Sequence, residues 1–171
     1  RHGLVSIYFD YNRNFWTNSI FFDYNRNMIE IRRQHYLETL TRFAETPNIV
    51  AVVGLRRVGK SVLLRQFVEE ARLSQRVVYI DKESFDFADV KTARDIVRHI
   101  NTTSNRGEDR LVVVDEVQQI EQWERAVASL NGEPRTRVII SGSNASLFSG
   151  ELATRIAGRY LTLQVFPLTL A

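Results

Sequence analysis

The sequence contains no cysteine among its 171 residues and only three histidines. Disulfide bonds and cysteine-ligated metal sites are therefore excluded, and we expect no histidine-rich metal centre. Long apolar runs are also lacking, because stretches such as residues 49–53 and 111–114 are far shorter than the roughly 20 residues that span a bilayer. Neither sign of charge dominates, because the sequence has 23 Lys and Arg residues and 20 Asp and Glu residues, which gives a net charge of +3. This small basic excess permits contacts with phosphates but does not by itself indicate a nucleic-acid-binding protein.

A chain of this length can bury roughly 70% of its unfolded surface, so a hydrophobic core needs no covalent crosslinks. Hydrophobic residues make up 44% of the sequence and charged residues 25%. This composition predicts a soluble, cytoplasmic domain of the α/β or α+β class without a membrane segment.

The first 27 residues differ from the rest of the chain. Residues 7–14 (IYFDYNRN) recur almost unchanged as residues 20–27 (IFFDYNRN), and two copies are too few for a solenoid. One interpretation is a β-hairpin, because runs of Ile, Tyr and Phe end in Asp and Asn. The other takes Met28, the only methionine, as the natural start and residues 1–27 as extraneous. We therefore divide the chain into an N-terminal extension, residues 1–27, without expected chemistry, and a core domain, residues 28–171.

Within the core domain, segments with helical spacing alternate with short apolar runs. The predicted strands are residues 49–53, 77–80, 111–114, 138–140 and 160–165. The predicted helices are residues 33–45, 60–73, 90–100, a short helix from Trp123 and a segment over 147–156, whereas residues 101–109 are predicted as a surface loop. Strands separated by helices imply a parallel sheet covered on both faces, which is an α/β layered domain. Trp123 is interpreted as a core residue.

The first predicted strand leads into Gly54-Leu55-Arg56-Arg57-Val58-Gly59-Lys60-Ser61, which fits the phosphate-loop pattern GxxxxGK[ST] between a strand and a helix. Glycines allow backbone angles that turn N–H groups inward around a phosphate, and the positive end of the helix lies at the same point. Lys60 would neutralise the β- and γ-phosphates, and the Ser61 hydroxyl would ligate Mg²⁺. The alternative is a glycine-rich turn that binds nothing. The predicted nucleotide-binding residues are Gly54, Leu55, Arg56, Arg57, Val58, Gly59, Lys60, Ser61 and Val62.

A second motif follows the strand at residues 111–114, where Asp115 and Glu116 stand together. Ligands of parallel sheets bind beyond the carboxyl ends of the strands, so this pair is expected beside the phosphate loop. Asp115 is the expected Mg²⁺ partner together with Ser61, and Glu116 is placed to activate the attacking water. The alternative is a strand that merely ends in solvated acids.

Further polar candidates follow the later strands. Ser143 or Asn144 could hydrogen-bond the attacking water or the terminal phosphate, although a helix cap is the simpler role. Arg159, after Gly158, is a candidate γ-phosphate sensor or an arginine finger for a neighbouring subunit, with a solvated arginine as the alternative. The predicted catalytic set is therefore Lys60, Glu116, Asn144 and Arg159.

These motifs resemble those of an AAA+-like P-loop ATPase family of archaea and bacteria that carries a GxRRxGKS loop. The resemblance is carried by residues 53–64 (VGLRRVGKSVLL) and by residues 115–118 (DEVQ) followed by Trp123. It extends to residues 141–144 (SGSN), Gly158-Arg159 and residues 165–168 (VFPL), where Thr169 stands in place of the usual Ser. The similarity covers about residues 28–170.

The resemblance implies a P-loop NTPase three-layer sandwich with a five-stranded, mainly parallel sheet in the order 5-1-4-3-2. It implies ATP and Mg²⁺ as ligands and a catalytic Glu116; adenine over guanine rests on the resemblance. Family members usually continue into a helical or winged-helix region and often a nuclease-like domain. The resemblance thus implies the ATPase core of a longer protein, with DNA or a protein partner acting through a C-terminal domain, and is compatible with homo-oligomers.

Two functions remain open from the sequence. The first is Mg²⁺-dependent ATP hydrolysis that drives a conformational change in a further domain or partner. The alternative is a nucleotide-gated switch or a DNA-associated binding module with negligible turnover. A GTPase is less favoured, because the sequence has no Asn-Lys-x-Asp motif.

Overall fold

The computed structural model describes residues 18–23, 28–72, 74–105, 107–143 and 159–168, with side chains from residue 31 onward. The strands are β1 (Asn18–Asp23), β2 (Met28–Arg33), β3 (Ile49–Val53), β4 (Arg76–Asp81), β5 (Arg110–Asp115), β6 (Thr136–Gly142) and β7 (Tyr160–Gln164). The α-helices are α1 (Gln34–Ala44), α2 (Lys60–Ala71), α3 (Ala93–Thr103) and α4 (Trp123–Asn131). Short 3₁₀ turns lie at Phe85–Phe87 and Val117–Gln119.

Strands β3 to β7 form one sheet in the order β4-β5-β6-β3-β7, and every neighbouring pair is parallel. This arrangement confirms the predicted α/β fold with a five-stranded parallel sheet. Strands β1 and β2 precede this sheet and do not join it, so the strand labels differ from those in the expected order. Numbered by themselves from β3, the five strands read 5-1-4-3-2 from the β7 edge.

Each face of the sheet carries its own hydrophobic cluster, because side chains alternate along a strand. Ile49, Ala51 and Val53 of β3 belong to the cluster that α3 and α4 cover, whereas Val50 and Val52 belong to the cluster under α1 and α2. All five residues of β3 are buried. The domain therefore has three layers with the sheet in the middle, and Trp123 lies in the α3–α4 cluster as expected.

Helix α3 corrects the sequence-based boundaries. We expected a helix over residues 90–100 and a loop over 101–109, but the helix runs from Ala93 to Thr103. It begins later because Thr92 and Asp95 form a capping box, in which the Asp95 carboxylate accepts the Thr92 backbone N–H. The predicted helix over 147–156 lies outside the described residues.

The hairpin of β1 and β2 is antiparallel, with Ile20 opposite Ile31 and Asp23 opposite Met28. Residues 20–23 of the second repeat copy lie in β1, whereas the first copy lies outside the described residues. Strand β2 leads directly into α1, so the hairpin is attached to the core at Arg33 and Gln34.

Within the described ranges, no helix combines the length and apolar character that crossing a membrane requires.

Candidate functional site

The predicted phosphate loop lies between the end of β3 at Val53 and the start of α2 at Lys60. Gly59 caps the helix with φ +92°, a left-handed conformation that glycine adopts without steric cost. Its carbonyl oxygen accepts the Leu63 N–H at 3.0 Å, which begins the helical hydrogen bonding. The first N–H groups of α2 therefore point into the loop, as anion binding at a helix N-terminus requires.

Gly54 is required for a different reason from the one we expected. Its φ of +159° borders on extended backbone, but a Cβ at this position would lie 2.4 Å from the carbonyl oxygen of Val165. The Val165 N–H also donates to the Val53 carbonyl at 2.7 Å, so the chain after β7 runs directly against the loop. Close approach of two backbone segments, rather than an unusual backbone angle, excludes a side chain here.

The Lys60 side chain is 3% exposed and joins the two predicted motifs. Its Nζ donates to the carbonyl oxygens of Gly54 and Leu55 at 3.3 and 3.2 Å. The same atom lies 3.6 Å from Glu116 Oε1. The structure thus brings the loop lysine and the acidic pair together at the carboxyl edge of the sheet.

Asp115 is fully buried at the end of β5 and accepts hydrogen bonds from both neighbouring strands. The Ser141 hydroxyl on β6 and the Glu116 N–H donate to Oδ1, and the Tyr79 hydroxyl on β4 donates to Oδ2 at 3.2 Å. Burial, and then the nearby Asp115 charge, raise the pKa of Tyr79 above its usual range, so its hydroxyl stays protonated. These three hydrogen bonds fix the orientation of the Asp115 side chain.

Glu116 leaves the strand in a left-handed conformation with φ +53°. Its N–H also donates to Ser141 Oγ at 3.0 Å, which anchors this turn to β6. Its carboxylate is 13% exposed; Oε2 accepts from Gln118 Nε2, and Oε1 faces Lys60. The turn therefore directs this side chain toward the loop instead of along the sheet.

The other predicted loop residues differ in exposure. Arg56, Arg57 and Leu55 are exposed, Leu55 by 71%, while Val58 is buried. Arg57 has φ +67°, which is uncommon for a residue with a side chain. Ser61 and Val62, in the first turn of α2, are half-buried.

Arg33 and Tyr36 contact the loop region from the start of α1, and the sequence analysis did not single them out. Arg33 Nη1 donates to the Val58 carbonyl at 3.2 Å, and its guanidinium lies 4.2 Å from the centre of the Tyr36 ring. Burial lowers the pKa of Arg33 from its usual value. The Tyr36 hydroxyl accepts the Phe166 N–H at 3.2 Å. No motif marks these residues, since only the tertiary fold brings them to the loop.

The polar segment after β6 contributes Ser141, which is buried within the strand and contacts both Asp115 and Glu116. From the sequence we expected Ser143 or Asn144 as the polar candidate here. Ser143 follows the strand and is half-buried, and Asn144 lies outside the described residues, as do Gly158 and Thr169. The sequence signal for Ser141 was its place directly after the apolar run of residues 138–140.

Arg159 lies at the other end of the sheet from the loop. Its carbonyl oxygen accepts the Ile49 N–H at 2.9 Å, and Tyr160, the next residue, pairs with Ile49 at the start of β3. The loop begins after the last residue of β3, roughly 16 Å further on at about 3.3 Å per residue. The structure therefore does not bring Arg159 together with Lys60 of the same chain.

A family profile described as an AAA domain matches residues 46–171, a range that includes the loop, the acidic pair and β3 to β7. The chain belongs to the AAA domain family. This membership supports nucleotide binding and an ATPase role.

One curated relative of this AAA domain is an uncharacterized protein of Haemophilus influenzae, 37% identical over 144 residues. The match covers 81% of the chain but 36% of that protein, so the chain spans about a third of its length.

Solved structures share the fold. Saccharomyces cerevisiae Rif2 matches with a TM-score of 0.53 and 18% identity over 80% of this chain and 56% of its own. The replication initiator DnaA, bound to AMPPCP and single-stranded DNA, matches with a TM-score of 0.50 and 20% identity over 77% of this chain and 44% of its own.

Proposed function

We propose that this AAA domain binds ATP with Mg²⁺ and hydrolyses it. The observation that carries the proposal is the 3.6 Å approach of Lys60 Nζ to Glu116 Oε1, because it joins a phosphate-binding group to a general base. Membership in the AAA domain family supports the same assignment.

The phosphates would bind to the N–H groups of the loop and of the first turn of α2, with Lys60 as the mobile cation. Phosphate oxygens carry more charge than one carboxylate, so they would compete with Glu116 for the Lys60 ammonium. Binding of a triphosphate would therefore release Glu116 Oε1 from this ion pair and make it available to a water.

The side-chain oxygens present are suitable ligands for Mg²⁺, which is bound by oxygen atoms of side chains and water. Ser61 supplies a hydroxyl in the first turn of α2, and Asp115 supplies a carboxylate that three hydrogen-bond donors hold in place. When bound, the ion would neutralise charge on the β- and γ-phosphate oxygens. In this proposal Asp115 holds the ion, and Tyr79 and Ser141 hold Asp115.

Glu116 would accept a proton from the attacking water. The water oxygen forms a bond to the γ-phosphorus, and the bond from that phosphorus to the β–γ bridging oxygen breaks. ADP then leaves with the bond's electron pair, and inorganic phosphate is the second product. Lys60 would stabilise the charge that develops on the transferred phosphoryl group.

Titration calorimetry with ATP and Mg²⁺, combined with phosphate release, tests this assignment. Lys60→Ala should abolish ATP binding. Glu116→Gln should bind ATP with the affinity of the unmodified chain and lose about 100-fold or more in turnover, the usual contribution of a general base. The same titration with GTP measures base preference, for which we propose adenine.

Two results would contradict the proposal. ATP binding that survives Lys60→Ala would exclude the loop as the phosphate site. Turnover by Glu116→Gln at the rate of the unmodified chain would exclude Glu116 as the base.

A DNA-responsive switch with negligible turnover is the second candidate, and the exposed Arg56 and Arg57 on the loop favour it. In DnaA, the shared fold is found bound to both AMPPCP and single-stranded DNA. Phosphate release with and without DNA distinguishes the candidates. Affinity for DNA should fall steeply with salt if arginine–phosphate contacts dominate.

A further inference from the structure

Gln118 lies two residues after the proposed base and contacts it directly. It belongs to the 3₁₀ turn Val117–Gln119, which starts immediately after Glu116. Its Nε2 donates to Glu116 Oε2. Because an ionised carboxylate only accepts hydrogen bonds, the Gln118 atom that faces it must be the amide nitrogen, and the amide oxygen must point elsewhere.

That amide oxygen is buried and has no hydrogen-bond partner among the described residues. Buried carbonyl oxygens without a partner are rare in proteins and call for an explanation, such as a donor that binds during function. The oxygen is bonded to the same carbon as Nε2, so it stays beside the Glu116 carboxylate. A donor that reaches this oxygen therefore also lies near the proposed base.

The two oxygens of Glu116 have different partners. Oε2 is held by Gln118, and Oε1 faces Lys60 at 3.6 Å. Once phosphate oxygens take the ammonium of Lys60, Oε1 is the carboxylate oxygen that can accept a proton. A water molecule has two hydrogens, so it can donate one to Glu116 Oε1 and the other to Gln118 Oε1, with its lone pair directed away from both.

We propose that Gln118 is a positioning residue: its amide nitrogen orients the Glu116 carboxylate, and its amide oxygen accepts a hydrogen bond from the attacking water. This role rests on the proposed ATP hydrolysis. Gln118 transfers no proton, because a neutral amide is a poor acid and a poor base. Its contribution belongs to the chemical step and not to the binding of the nucleotide.

The neighbouring Gln119 provides a matched control, since it has the same side chain in the same turn but is exposed. We would compare Gln118→Met and Gln119→Met, which keep side-chain length and remove both amide groups. The readouts are kcat and KM for ATP with Mg²⁺, Kd for a non-hydrolysable ATP analogue and the unfolding temperature of each variant.

Gln118→Met should lower kcat about tenfold. A general base increases the rate about 10²–10⁴-fold, and we expect the loss of its orientation to remove a part of that increase. Its Kd for the analogue should stay within about twofold of the unmodified chain, because Lys60 and the loop are untouched. Gln119→Met should leave both constants unchanged. A purely structural role of Gln118 would instead lower the unfolding temperature and weaken analogue binding, and that result would overturn the proposal.

A double-mutant comparison tests whether Gln118 acts through Glu116. When Gln118→Met is added to Glu116→Gln, it should cause much less than its tenfold loss in the unmodified chain, because the carboxylate that Gln118 orients and to which the water gives its proton is already absent. An additional tenfold loss in that background would overturn the role.

The two proposals can fail separately. If the unmodified chain hydrolyses ATP and Gln118→Met has the same kcat, only the role of Gln118 is wrong. If the unmodified chain binds ATP but releases no phosphate, the proposed hydrolysis is wrong, and the role of Gln118 is overturned with it.

Discussion

The Asp115 carboxylate accepts three hydrogen bonds at this site. It is fully buried, and burying a carboxylate is strongly unfavourable unless hydrogen bonds compensate. Tyr79 and Ser141 supply that compensation from the strands on either side, together with the Glu116 N–H. Stability therefore depends on the same carboxylate that we propose as the Mg²⁺ ligand.

Tyr79→Phe should lower the free energy of unfolding by about 1.5–3 kcal/mol, the usual contribution of a hydrogen bond to a charged group. The ring itself is retained, so the loss reports the hydroxyl. Urea denaturation of the variant and the unmodified chain measures it. In an Asp115→Asn background the cost should shrink, because the acceptor is then neutral; an equal cost in both backgrounds would contradict the assignment to Asp115.

At the scale of an element, α3 shows how a few polar contacts set the start of a helix. The Asp95 carboxylate accepts the backbone N–H and hydroxyl of Thr92 at 2.9 and 2.8 Å, and the Lys91 N–H at 3.3 Å. The hydroxyl of Thr92 is the main cause that holds the pKa of Asp95 below its usual value; backbone hydrogen bonds and Arg98 add to it. The first turn of α3 is therefore stabilised by the ionised form of Asp95.

This cap makes the stability of α3 depend on pH. A depressed pKa in the folded chain gives a contribution that is complete above the unfolded value of about 4 and is lost as the pH falls through the folded value. Asp95→Asn should therefore be less stable than the unmodified chain at neutral pH, and the difference should shrink in acid. Thermal unfolding across this range measures it. A difference that stays constant with pH would contradict the role of the charge.

At the scale of the whole molecule, the loop and Arg159 lie at opposite ends of the same strand. Lys60 and Glu116 meet beyond the carboxyl end of the sheet, whereas Arg159 adjoins Ile49 at the amino end of β3. A contact between Arg159 and the γ-phosphate within one chain is incompatible with this separation. We propose that Arg159 contacts the nucleotide that is bound to a second copy of the chain.

Turnover should then depend on association. In dilute solution Arg159→Ala should match the unmodified chain, whereas at concentrations that favour association only the unmodified chain should gain activity. Arginine fingers increase kcat by about 10³–10⁵-fold, so even partial association of the chains should give a measurable increase in turnover. Phosphate release per chain, recorded against concentration beside light scattering, tests this. An equal loss at every concentration would contradict a contribution from a second copy.

The layered fold could be predicted because its signals are local. Residues 49–53 form a continuous apolar run and become a fully buried strand with the expected bounds. Lys60 begins α2 as expected, since the glycine before it ends the loop. For α3, the apolar pattern predicts a start at Val90, but the capping box of Thr92 and Asp95 places the start at Ala93.

The contacts around the site were less predictable, because they depend on which strands become neighbours. Tyr79 reaches Asp115 only because β4 pairs with β5 in a particular register, in which Asp81 lies opposite Asp115. Arg33 meets the Val58 carbonyl across 25 residues of sequence. Spacing along the chain contains no information about either contact.

The approach of Val165 to Gly54 has a mechanical consequence. A hydrogen bond from Val165 to Val53 holds the segment after β7 beside the start of the phosphate loop, so close to Gly54 that no side chain fits there. If the loop binds a triphosphate as we propose, a pull that displaces this segment would change the shape of the loop and thus its affinity for the triphosphate. By thermodynamic reciprocity, the triphosphate then changes the work needed to displace the segment by the same amount. Force on the polypeptide and binding of the triphosphate would in this way both act on the contact between the segment after β7 and the loop.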